Sequence, residues 1–180
     1  MRTLYERTIF KVDVLTLRVR LGRAETSRLE DLVRRRAGAP ALEDSIADLA
    51  THATDAWAEI EFLRDVGLDR FVDGVRKDVR RAREAGIITE EDERMVSEGL
   101  PRWYAFLADR RIRKGDRMTY RIRADTLRTR YVGRDGDLLL DQTDVGPERR
   151  LAVLGAWFAP RSSFRRGLLR SLTRPAAGRP

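Results

Sequence analysis

IEFLRDVGLDRFVDGVRKDVRRA, residues 60–82, changes its period midway. At first Ile60, Phe62, Arg64 and Val66 alternate with Glu61, Leu63 and Asp65, the repeat of a strand with one apolar face. Beyond Gly67 the repeat is helical. Phe71, Val72, Val75, Val79 and Ala82 share one stripe, behind Asp69, an acid where the first turn favours one. Gly86 is placed to stop this helix, and Asp73 and Lys77 have i,i+4 ion-pair spacing on its outer side. A strand feeding an amphipathic helix sets the frame for the rest of the chain. Arg64 breaks the pattern, as a cation in an otherwise apolar set.

Working outward, residues 57–66 make up the whole of that strand. Residues 8–20, TIFKVDVLTLRVR, alternate and are rich in β-branched side chains, which predicts an earlier long strand. Residues 25–36 form a helix carrying Leu29, Leu32 and Val33, and Leu42, Ile46 and Leu49 predict a further short one. Thr89-Glu90-Glu91-Asp92 resembles an acidic capping box. Pro101 is placed to open a following helix, with Trp103, Phe106 and Leu107, at a position where its missing N–H costs nothing. Lys114-Gly115-Asp116 is a turn. Three β segments follow, 117–123, 127–132 and 138–142, the last two joined through an Asp-Gly hairpin signal. Residues 147–158 and 163–172 are helical, and 173–180 read as a tail behind a domain of residues 1–172. The fold class is α+β: an antiparallel sheet with helices over one face, an arrangement that leaves room for an apolar ligand between the layers.

Composition narrows the functions. The 180 residues include no cysteine and one histidine, His52, so disulfides, thiolate chemistry and ordinary zinc or copper sites are excluded. Neither a GxxxxGK[ST] loop nor a GxGxxG turn is present, and no Gly-x-Ser-x-Gly turn accompanies His52. No cofactor is expected. No apolar run reaches membrane-spanning length, and MRTLYERTIF has no apolar h-region, which fits a cytoplasmic protein. The net charge of +8 is matched by eight arginines from Arg149 onward, with no acid among them. Such a segment reads first as a solvated face and tail. Contact with a membrane surface is the alternative use, and a nucleic-acid partner is disfavoured.

Several stretches in order resemble the chalcone isomerase-like family, in the form of its bacterial chalcone isomerase-like domain. IFKVDVLTLRV is similar to the family's first long strand. IEFLRDVGLDRFVDGVRKDV is similar to its F-x-R-D-V strand and amphipathic helix, RKGDRMTYRI to its K-K-G-D entry into the meander, and GRDGDLLLDQ to the turn that follows. LAVLGAWFAPRSSFRRGLL is similar to its I-W-L-G-P ending, through Trp157 and Pro160. The resemblance spans roughly residues 5–172. It implies a curved antiparallel sheet packed by helices, an open-faced β-sandwich.

The family holds enzymes that close a chalcone into a flavanone, and non-catalytic members that bind fatty acids. By position, the enzymes' strand threonine falls on Asp13, their active-site tyrosine on Phe71 and their asparagine on Asp78. All three are substituted. An upstream catalytic arginine would fall at or before Met1, with only Arg2 or Arg7 nearby, and the family's earlier strands are expected to be missing here. No catalytic residue is therefore assigned, and a non-catalytic domain binding a small apolar ligand such as a fatty acid is the leading expectation. Candidate ligand contacts are Arg64, Asp13, Phe71, Tyr5 and Tyr120, with Arg7 as a further cation. Arg64 has three readings: a structural pair with Asp13, capture of a ligand carboxylate, or exposure at the sheet edge. The alternatives to binding are an isomerase or lyase using Asp13 or Asp78 as base, and surface binding through the basic C-terminus.

Overall fold

The computed structural model describes residues 2–6, 13–36 and 41–173, with side chains given for 14–35 and 41–171. Its elements in chain order are β1 (Arg2–Glu6), β2 (Asp13–Leu21), α1 (Arg23–Arg36), α2 (Leu42–Thr51), β3 (Asp55–Phe62), α3 (Leu68–Glu84), α4 (Glu90–Trp103), β4 (Arg117–Arg123), β5 (Thr126–Val132), β6 (Leu138–Val145), α5 (Pro147–Phe158) and α6 (Arg165–Thr173). The strands form one six-stranded sheet in sequence order, antiparallel throughout. The α+β arrangement expected from the sequence is the one observed.

The period-2 pattern is what lays one face of the sheet against the helices. In β3, Ala56, Ala58, Ile60 and Phe62 are buried, while the residues between them are half-exposed. The register places Ile60 opposite Leu17 on one side and Met118 on the other, continuing the apolar layer across the sheet. Each such aliphatic or aromatic side chain contributes about 1.5–3 kcal/mol by leaving water. The outer face is charged. Arg18 bridges Glu59 at 2.8 Å and Glu61 at 3.3 Å, and Arg20 lies over the Trp57 ring.

The helical stripe of α3 buries Val72, Val79 and Ala82 against the rest of the core, and α3 packs on α5. At the start of α4 the Thr89 hydroxyl accepts from the Asp92 N–H, and Asp92 returns the bond to the Thr89 N–H, closing the expected capping box. Gly115 makes its turn at φ +88, a conformation that favours glycine.

Several expectations need correction. The strand expected over 57–66 ends at Phe62, because Leu63 makes one last bond to Val14 before the chain bends away. Beyond it Asp65 accepts from the Lys114 N–H, and Val66 pairs only with Ile112. The strand expected over 8–20 is β2, which begins at Asp13; residues 7–12 lie outside the described residues. β1 precedes it, where no strand was expected. Pro101 sits in the last turn of α4 instead of opening a new helix, and Phe106 and Leu107 belong to a separate 3-10 turn. Asp73 pairs with Arg76, at i,i+3 rather than the i,i+4 spacing of Lys77.

Candidate functional site

Between the sheet and helices α3, α4 and α5 lies a cavity of about 940 Å³. Its walls are mostly apolar: Leu15, Ile60 and Phe62 from the sheet, Val75 and Val79 from α3, Trp157 from α5. This follows from the fold. The apolar stripe of α3 packs on α5 and α4, and space remains between these helices and the apolar side of the sheet.

Aromatic rings cluster along one part of the cavity wall. Phe71 meets Phe62 edge-on with centroids 5.7 Å apart, and Tyr104 edge-on at 5.2 Å. Phe106 and Tyr131 complete the cluster, with Phe62 and Tyr131 6.4 Å apart. Edge-to-face contacts of this kind add to simple burial. Phe71 is thus a packing residue at the cavity wall.

Hydroxyls enter the cavity from elsewhere. Tyr104, which follows the last turn of α4, and Tyr120 on β4 are both buried. The Tyr120 hydroxyl donates to Met118 Sδ at 2.7 Å, and Tyr104 reaches the same sulfur at 3.9 Å. Burial raises the pKa of both phenols above the usual range, so both remain protonated. Thioether sulfur is a weak acceptor, and the two hydroxyls also bond each other.

Asp78 also lines the cavity, buried, and its carboxylate accepts from Arg81 at 2.7 Å. The same arginine donates to Ser163 at 3.0 Å, tying α3 to the segment before α6. Arg64 lines the cavity on the loop after β3, half-buried. Among the described residues no hydrogen bond or ion pair reaches it. The β2–β3 register, if continued, would set Asp13 across from Arg64, but the ladder stops at Phe62. The side chains of Asp13 and Tyr5 lie outside the described ones. The Tyr5 backbone pairs with Leu15, Arg2 begins β1, and Arg7 is not among the described residues.

A further cation borders the cavity where none was expected. Arg149, in the first turn of α5, lies flat over Trp103 with its guanidinium carbon 3.4 Å from the ring centroid. Asp144 stands 3.6 Å away and itself accepts from Gln142 at 2.8 Å. Sequence reading had counted Arg149 only as the start of a basic segment. Other members of that segment are also part of the fold. Arg150 is buried and donates to the carbonyls of His52 and Ala53 at 3.3 and 3.1 Å, and Arg165 donates to Phe158 O at 2.5 Å and pairs with Asp44.

The other buried polar cluster lies beside the aromatic cluster. Asp116, fully buried, accepts from Arg110, Tyr131 and the backbone N–H groups of Arg113 and Arg134, all at 2.7–3.0 Å. Burial and the bond to Asp116 both push the Tyr131 phenol far up.

Sheet, helical cover and interposed cavity define an α+β protein with a largely apolar cavity between its layers. No known protein family's sequence profile matches the chain, and no curated protein sequence does. Among solved structures it is similar to a fatty-acid binding protein of Arabidopsis thaliana, with a TM-score of 0.60 at 13% identity over 94% of this chain and 85% of that one. At that identity the likeness carries the fold, which is the antiparallel sheet under helices implied by the resemblance to the chalcone isomerase-like family. Among the described residues no helix is long and apolar enough to cross a membrane.

Proposed function

We propose that this protein is a non-catalytic binding protein whose cavity takes a small apolar ligand, a fatty acid or a carboxylic acid of similar size and chain character. The observation that carries this reading is the cavity itself. At about 940 Å³ it falls in the range of small-molecule sites, and its walls are mostly apolar with charged residues among them. The fold likeness to a protein named for fatty-acid binding supports it. So does the use of the positions that matter in the family's enzymes: Phe71 is spent on ring packing and Asp78 on Arg81.

Native mass spectrometry of the purified chain is the test, backed by displacement of a neutral naphthylamine dye from the cavity. Copurifying lipid, or displacement by medium-chain fatty acids with a rise in melting temperature, is expected. A chain that carries no lipid, holds no dye and keeps its melting temperature in fatty acid would end this reading.

A further inference from the structure

The binding reading leaves open where a ligand's charged end would sit. Arg64 is the cation that strand alternation singles out, yet it stands on a bent loop flanked by Asp65. Arg149 is placed quite differently. Its guanidinium is fixed against the Trp103 ring, and among the described residues it makes no hydrogen bond, since Asp144 at 3.6 Å is beyond that distance. Trp103 and Arg149 line the cavity on one side and a surface groove with Glu91, Arg94, Glu98 and Arg102 on the other. The guanidinium therefore occupies the boundary between apolar interior and water, where an amphiphile's head belongs.

Three further features make this place receptive to an anion. Arg149 and Arg150 both stand in the first turn of α5, where the helix dipole disfavours cations. Arg150 is compensated by two carbonyl oxygens, whereas Arg149 has one ion pair, with Asp144 at 3.6 Å, and the like-charged Arg102 near it. Burial holds the Arg149 guanidinium below its usual range, so a charge-assisted bond would form there in a medium of reduced dielectric. The Tyr104 hydroxyl is near enough to interact electrostatically with Arg149, which adds a polar group beside the guanidinium.

We propose that Arg149, held flat on Trp103, is the anion anchor of the cavity: it receives the carboxylate of an apolar-tailed acid while the tail extends toward the rings of Phe62 and Phe71. This inference rests on the reading of the cavity as a binding site. It assigns the head-group position to the start of α5 rather than to the loop after β3.

The test uses the full chain and two competitors for the naphthylamine dye, dodecanoate and the neutral dodecanol. The native protein should prefer dodecanoate by about tenfold or more, the scale of a charge-assisted arginine–carboxylate contact. Arg149→Met should remove that preference while leaving displacement by dodecanol within about twofold. Arg149→Gln, which keeps a flat polar group on the indole, should do the same and decides the matter if the methionine variant does not fold. Equal displacement by the two competitors in the native protein would overturn the anchor alone. So would a preference that survives in both Arg149 variants, or one lost in Arg64→Met but kept in Arg149→Met. If neither competitor displaces the dye and none of it binds, the binding reading of the cavity falls, and the anchor with it.

Discussion

Asp116 and Arg149 are two charged residues at the margins of the same sheet-and-helix core, and they are treated in opposite ways. Around Asp116 donors converge until the carboxylate is saturated: a guanidinium, a phenol and two backbone N–H groups. Around Arg149 the donors are in surplus, with one indole face and one carboxylate out of hydrogen-bond range. A buried charge with every bond made holds elements together. A half-buried charge with bonds to spare at the rim of an apolar cavity is arranged for something that arrives from outside. The difference separates structural charge from receptive charge more sharply than burial or sequence position does.

The largest expected effect breaks the saturated side. Asp116→Ala leaves Arg110, Tyr131 and two N–H groups without their acceptor, and should cost about 3–5 kcal/mol in urea unfolding. A loss below about 1 kcal/mol would mean that the cluster is not a structural tie. Next comes Glu25, a second satisfied acid, which accepts from Thr54 and from the Thr54 and Asp55 N–H groups and so pins α1 to the start of β3. Burial alone would raise its pKa, but these bonds outweigh burial and hold it below 4.5. Because the folded-state value is depressed, the stabilisation is present at neutral pH and lost as pH falls through that lowered value. Glu25→Ala should cost about 1–3 kcal/mol at neutral pH and flatten the acid limb of the stability profile. An unchanged acid limb would contradict the assignment.

Smaller effects sharpen the contrast. Tyr131→Phe removes one of several donors from Asp116 and should cost about 1 kcal/mol, well short of the Asp116 variant. Arg149→Met loses its contact with the indole and its ion pair with Asp144, about 1–2 kcal/mol together, while its effect on carboxylate binding is large. If Arg149→Met destabilised the fold as much as Asp116→Ala, the two charges would belong to one class and the distinction would collapse.

Much of the fold was legible because local chemistry and tertiary packing agree. The meander strands, the α3 stripe behind Asp69 and the Thr89–Asp92 box were each specified by spacing alone. The misreadings share a cause: side-chain pattern outlasts backbone hydrogen bonding. Alternation runs on to Val66, but the ladder stops at Phe62, so Arg64 belongs to a loop and not to a strand face. Pro101 fits inside the last turn of α4, a position its start-of-helix preference does not suggest. The candidate site was partly visible. Phe71 and Tyr120 do line the cavity, as does Arg64. Arg149 was hidden because its meaning depends on Trp103, which lies nearly half a hundred residues upstream and meets it only after α4 and α5 have packed.

Gly99 makes that meeting possible. A Cβ at this position would fall 2.3 Å from the Trp103 ring, so the indole can fold back along α4 only over a glycine. The three positions thus form a unit of inheritance. A lineage that replaces Gly99 must also give up the indole's place, and with it the platform on which Arg149 rests, so glycine, tryptophan and arginine should persist or vanish together among related chains.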